Sequence, residues 1–289
     1  MGDLSLVHIL DFLAAPFVAS LILTGIHSYL GVHVVERGVI FVDLSLAQIA
    51  ALGATIAVLM PMSGGDPHAP SVYWVSLLFT FIGAAIFSMI RGHKARIPQE
   101  AIIGICYAVA SAASILAMSK ATSESEHLKD MLVGNILAVS WGEVGKKAIL
   151  YGAIGLFHFI FRDKFLMISM SHRRAEDMGI PVRFWDFLFY ASFGFVVTSS
   201  VSIAGVLLVF CYLIVPSVAA MLYADSIGKR LAIGWSMGTV VSALGVYLSL
   251  RLDLPTGATI VCTFGVVLAI MAMVRPLVQP LRAVRPVQQ

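Results

Sequence analysis

Apolar runs close to 20 residues long recur along almost the whole chain, and they decide what it can fold into. A helix needs roughly 20 apolar residues to cross a ~30 Å hydrocarbon core, whereas barrel strands would alternate polar and apolar residues at period 2. Nine stretches fit the helical pattern: 10–32, 39–60, 72–90, 99–118, 147–161, 184–200, 205–223, 231–250 and 256–274. Breakers separate several of them, namely Gly64-Gly65-Asp66-Pro67, Ile97-Pro98 and Leu254-Pro255. Pro98 suits the first turn of a helix, where its missing N–H forfeits no bond. With 59% hydrophobic and 12% charged residues, the chain has too little polar surface to cover itself in water. The pattern predicts an all-α integral membrane protein of about nine transmembrane helices, or eight, forming a single domain over residues 1–289. The first run starts near Leu10, after Asp3 and with Asp11, and has no basic segment before it, so it reads as a retained span.

Two places decide the count. Residues 131–161 hold two short apolar stretches flanking Lys146 and Lys147, read as one crossing preceded by a short, partly embedded helix. Val201-Ser202-Ile203-Ala204 is read as separating the sixth span from the seventh. Both readings follow from the positive charges, because cytoplasmic loops are enriched in Lys and Arg. One set of alternate loops and the tail holds Arg37, Arg91, Lys94, Arg96, Arg162, Lys164, Arg173, Arg174, Arg183, Lys229, Arg230, Arg275, Arg282 and Arg285. The other set holds only Lys120, Lys129 and Arg251. A bias of 14 to 3 puts the N-terminus outside and the C-terminus in the cytoplasm, which needs an odd number of crossings. Because the basic residues are dispersed between spans and the net charge is only +3, they carry topology and not nucleic-acid binding.

The longest internal loop, at about 162–183, contains Ser171-His172-Arg173-Arg174-Ala175-Glu176-Asp177-Met178-Gly179-Ile180-Pro181. Ser171 is placed to cap a short helix, Gly179 to end it and Pro181 to prevent its resumption. It is either a solvated connector or a docking helix for another subunit, and Ala175 and Gly179, four apart, give it one small-residue face. Gly234 and Gly238 form a GxxxG in the eighth span, a spacing that lets another helix approach closely, including that of a second chain.

No enzyme site is visible. The nearest approach to a phosphate-cradling loop, Gly142-Glu143-Val144-Gly145-Lys146-Lys147, lacks the spacing and the hydroxyl that such a loop needs, so this chain is not expected to hydrolyse ATP itself. Cys106, Cys211 and Cys262 lie inside apolar runs without zinc-site spacing and read as small buried hydrophobes. Ionisable groups at membrane depth are functional candidates. Asp43 is either a transport-pathway carboxylate or an interfacial acid paired with a base such as Arg37. Gln48, about 140° further round the same helix, offers a carbonyl oxygen to a cation or a hydrogen bond to a neighbouring helix. Glu100 opens the fourth span, where a negative charge favours the helix N-terminus. His27 and His158 are packed histidines or metal ligands. In the expected outer loops, Asp66, His68, Glu124, Glu126, His127 and Asp130 supply further oxygen and imidazole groups.

Six stretches together resemble the permeases of the ABC importer family for zinc, manganese and iron. They are Gly38-Val39-Ile40-Phe41-Val42; Ala101-Ile102-Ile103-Gly104-Ile105; Val133-Gly134-Asn135-Ile136-Leu137-Ala138-Val139-Ser140; Ala175 to Gly179; Leu207-Leu208-Val209-Phe210 with Ile214-Val215-Pro216; and Asp253-Leu254-Pro255-Thr256-Gly257-Ala258. The resemblance covers nearly the whole chain. It implies a type II importer permease-like bundle in a bacterial cell membrane, a homodimer, two cytoplasmic ATP-binding subunits that hold the ATP and magnesium, and an external solute-binding protein. The chain itself would carry no cofactor, and Arg174, Ala175, Glu176, Asp177, Met178, Gly179 and Ile180 would form the coupling helix. One departure stands out. Zinc and manganese members commonly carry an Asp and, four residues on, a His in the second span, and those places hold Leu44 and Gln48 here. The route is therefore lined differently, or the cargo is a chelate or other small solute and not a bare cation, and no metal-ligand set is assigned. A secondary transporter would need buried coupling acids in two related halves, and only Asp43 and Glu100 are candidates.

Overall fold

The computed structural model describes residues 6–63, 69–90, 97–119 and 136–278. Within them all regular structure is helical: α1 Leu6–Glu36, α2 Val42–Leu59, α3 Pro70–Ile90, α4 Gln99–Met118, α5 Trp141–Ile160, α6 Arg162–Met170, α7 His172–Asp177, α8 Val182–Tyr223, α9 Ile227–Leu252 and α10 Thr256–Val278. Short 3₁₀ turns occupy Pro61–Ser63 and Ile136–Ala138. The outer-loop candidates Asp66, His68, Glu124, Glu126, His127 and Asp130, and the motif residues Val133, Gly134 and Asn135, lie outside the described residues.

Among the described residues seven helices are long and apolar enough to cross a membrane, and α5 with α6, bent by 75° at their junction, can supply an eighth. The difference from nine arises in α8. The expected spans 184–200 and 205–223 form one run of 42 residues, with no loop at Val201–Ala204. At 1.5 Å per residue a straight rod of that length would reach about 63 Å, roughly twice the hydrocarbon core. The backbone leaves helical geometry once, at Gly205 (φ 75°, ψ 160°), a conformation that residues with a Cβ avoid. That break divides α8 into two pieces, each near the length of a crossing.

α5 also begins six residues earlier than expected, at Trp141 instead of 147, because Ser140 and Glu143 form a capping box. The Glu143 N–H donates to Ser140 Oγ (3.3 Å) and the Ser140 N–H to Glu143 Oε2 (2.9 Å). Lys146 and Lys147 therefore ride on the helix and do not precede it. Of the short helix expected ahead of this crossing, the described residues show only the turn at Ile136–Ala138.

Lipid supplies no hydrophobic drive for one helix to meet another, so close approach depends on small residues. A Cβ at Gly31 of α1 would fall 1.9 Å from the Leu213 carbonyl oxygen of α8. Gly234 and Gly238 of α9 face Ser28 and Thr24 of α1, so the GxxxG serves packing within the chain and is not free for a second copy. α8 lies at the centre, against α1, α2, α3, α9 and α10, whereas α4 and α10 expose most of their surfaces.

Candidate functional site

The loop helix α7 packs back on α6 as a short hairpin. α7 follows Ser171, whose side chain makes no capping bond, so the expected cap is one of position only. Its C-terminal end is specified more strongly. Gly179 N–H donates to the Glu176 carbonyl (2.9 Å) and Ile180 N–H to the Ala175 carbonyl (3.1 Å), with Gly179 at φ +72°. This is the Schellman closure that glycine favours. Ala175 is fully buried and packs on Ile168 and Val182, with Met167, Ile180 and Trp185 around them. It is thus withdrawn from the docking face assigned to it with Gly179, because its smallness lets α7 lie down on α6 and α8. Arg173, Arg174, Glu176, Asp177 and Met178 point outward, and Met178 is 59% exposed.

Beneath this hairpin lies a buried polar cluster. α1 presents Tyr29, His33 and Arg37 at intervals of four, hence on one face. Arg37 Nη1 meets Asp186 Oδ1 of α8 at 2.6 Å, with both side chains fully buried, and the guanidinium lies 3.9 Å from the Phe189 ring centre. Arg37 Nε donates to Ser169 Oγ of α6 (2.9 Å), and His33 Nδ1 is 2.8 Å from the same oxygen. One turn deeper, Ser192 Oγ donates to the Phe189 carbonyl (2.9 Å), which uses its only proton. His158 Nε2, 2.8 Å from Ser192 Oγ, must therefore carry hydrogen and donate, and His158 Nδ1 accepts from the Tyr29 hydroxyl (3.3 Å). Stacked 4.3 Å from Phe165, His158 is a packed, fully bonded histidine. His27 Nδ1 likewise donates to the Leu23 carbonyl (2.9 Å).

The three pathway candidates make separate contacts along α2 and α4. Asp43, 1% exposed in the first turn of α2, has no hydrogen-bond partner for either carboxylate oxygen among the described residues. The alternative of a pair with Arg37 is not seen, and Arg37 pairs with Asp186 instead. Gln48 Nε2 donates to Ser111 Oγ of α4 (2.9 Å), so it holds two helices together. Glu100 Oε1 accepts the Phe41 N–H (3.0 Å) and so serves the start of α2 instead of its own helix. Among the described residues no group of three or more His, Cys, Asp or Glu side chains is placed to hold a metal. Asp186, Ser169 and His33 were not anticipated. The spacing of His33 and Arg37, and an acid within the apolar run after Pro181, were the available signals.

Comparison with known proteins settles the class. The model of the ABC 3 transport family matches residues 9–275. The chain belongs to this family. Among relatives of this ABC 3 permease is the manganese transport system membrane protein MntC of Listeria innocua, 25% identical over 272 residues, 92% of this chain and 91% of that protein. Another is the chelated iron transport system membrane protein YfeD of Yersinia pestis, 23% identical over 220 residues, 73% of this chain and 74% of that protein. A solved structure, PsaBC from Streptococcus pneumoniae in complex with Fab, superposes with a TM-score of 0.75 at 24% identity, covering 92% of this chain and 93% of that one. The fold is accordingly that of a metal ABC transporter permease, a multi-pass membrane protein.

Proposed function

We propose that this permease, as a homodimer in a bacterial cell membrane, imports a zinc, manganese or iron cation handed over by an external solute-binding protein. Hydrolysis of ATP with magnesium by a separate cytoplasmic subunit docked on α7 drives the transport, with the permease's N-terminus outside and C-terminus in the cytoplasm. The observation that carries the reading is α7 itself, a short helix locked by Gly179 and Ala175 that turns Arg174, Asp177 and Met178 to the outside. The relatives named for manganese and chelated iron transport support the cargo class.

Asp43 is the residue we assign to the cation route, because among the described residues its buried carboxylate has no protein partner, and such a group either holds a proton or is met by a cation that arrives from elsewhere. A second reading, in which the cargo is a chelate, is favoured by Leu44 and Gln48 standing where an acid and a histidine are common, and by Gln48 being spent on Ser111. The test is uptake of radiolabelled manganese, zinc or iron, free or chelated, into proteoliposomes holding the permease and its ATP-binding partner, with the binding protein added. Uptake that needs ATP and the binding protein is the expected result. Uptake driven by a proton or sodium gradient without ATP would show a secondary transporter instead.

A further inference from the structure

We propose that Ser169 is the joint through which movement of the α6–α7 hairpin reaches α1, so that Ser169 and Arg37 are positioning residues for coupling and not parts of the cation route. The inference rests on the reading of a docked ATP-binding subunit. α6 and α7 are held together and to the start of α8, because Ile168 and Met167 of α6, Ala175 of α7 and Ile180 share one apolar cluster with Val182 and Trp185 of α8. α6 leaves the axis of α5 at 75°, so the α6–α7 unit is not a straight continuation of α5. The apolar contacts of α6 with the bundle, such as Phe165 against His158 and Phe189, resist separation but permit sliding.

Hydrogen bonds fix register, and Ser169 makes two to α1 from one oxygen. Arg37 Nε has only hydrogen to give, so the Ser169 oxygen accepts there, and the same hydroxyl shares a second hydrogen bond with His33 Nδ1. Arg37 does not yield in its turn, since its guanidinium is held by Asp186 and lies flat on Phe189, both on α8. Its planar fork donates in two directions at once, which an ammonium of the same charge does not reproduce. One arginine thereby ties the hairpin, α1 and the first half of α8 at a single point, and α1 in turn packs on α9 through Thr24 and Ser28.

Ser169→Ala and Arg37→Lys cut the same link from its two sides, the second while keeping a positive charge for Asp186. In the reconstituted complex each variant should retain assembly with the ATP-binding subunit and its basal hydrolysis. The number of ions imported per ATP should fall about fivefold or more, the lower range of energetic coupling between distant sites. The double variant should be no worse than the poorer single one, since both remove one interaction. An unchanged ratio in both single variants would overturn the proposal, as would additive losses. Loss of assembly in both would overturn it too, by making the cluster a folding element. A wild-type complex without ATP-driven uptake would refute the underlying transporter reading before any variant is compared.

Discussion

Two buried carboxylates near the starts of neighbouring helices have opposite surroundings. Asp186 of α8 is met by Arg37 at 2.6 Å in a cluster that also holds Ser169, Phe189 and His33. Asp43 of α2 is equally buried, and among the described residues nothing bonds to either of its oxygens. The amides at the head of α2 favour a negative charge there, but only by about 0.3–1 kcal/mol, far less than the desolvation of an ion. An acid whose charge is matched within the fold has a structural or positioning task. One left unmatched is available to a proton or a mobile cation, and on the proposed reading the contrast separates residues of coupling from those of the route.

The sharpest way to break this comparison is to neutralise each acid in turn. Asp186→Asn strands a buried guanidinium, and losing one partner of a buried pair costs roughly 3–5 kcal/mol. Lower membrane yield and a lowered melting temperature in detergent are the expected outcome. Asp43→Asn removes a carboxylate that no group among the described residues bonds, so the melting temperature should stay the same or rise while cation uptake is lost. Arg37→Gln should not rescue it, because Arg37 does not touch Asp43. Similar destabilisation by both substitutions would erase the distinction, and full uptake by Asp43→Asn would move the route to another helix. The double replacement Arg37→Met with Asp186→Leu sharpens the point further. It should recover most of the stability lost in Asp186→Asn, since apolar pairs commonly replace buried ion pairs without penalty, yet still transport poorly.

The same contrast extends outward to α7, where inner and outer faces do different work. Ala175→Leu forces a larger side chain onto Ile168 and Val182, and overpacking of this kind costs about 1–3 kcal/mol, so both stability and docking should suffer. Met178→Asp changes an exposed side chain and should leave the melting temperature unchanged while weakening co-purification of the ATP-binding subunit. Equal effects of the two on stability would mean that Met178 is not a free surface residue.

How much of this was legible before the structure depends on the kind of signal. Apolar runs declare helices and lipid, because those are bulk properties of about 20 residues at a time. The end of α7 was legible because only glycine is at ease at φ +72°, and Gly179 stands there. The break in α8 was misplaced by a few residues, since Val201-Ser202-Ile203-Ala204 continue a helix as readily as they end one. Partner choice was not legible. Arg37 has Asp43 six residues away and Asp186 149 away, and only the folded packing of α1 against α8 decides between them. Ala175 shows the same limit, because its smallness signals close approach without saying whether the neighbour is another subunit or the chain's own α6.

The smallest expected effect lies on the Asp43 side, at Gln48. If the route runs past Asp43 and the α2–α4 contact merely frames it, Gln48→Ala removes one hydrogen bond between helices, to Ser111. Such bonds in membrane proteins average about 0.6 kcal/mol, because the separated helices find other partners. The melting temperature should then shift by only a few degrees, with uptake close to that of the wild type. Ser111→Ala should give the same small loss, and the double variant should give no more than either alone, since all three remove one bond. Gln48 would have a second task if Gln48→Ala abolished uptake while Ser111→Ala did not. Its amide oxygen, which the bond to Ser111 through Nε2 leaves unoccupied by that contact, would then be a second, separate ligand along the route, and the line between frame and route would have to be redrawn to include it.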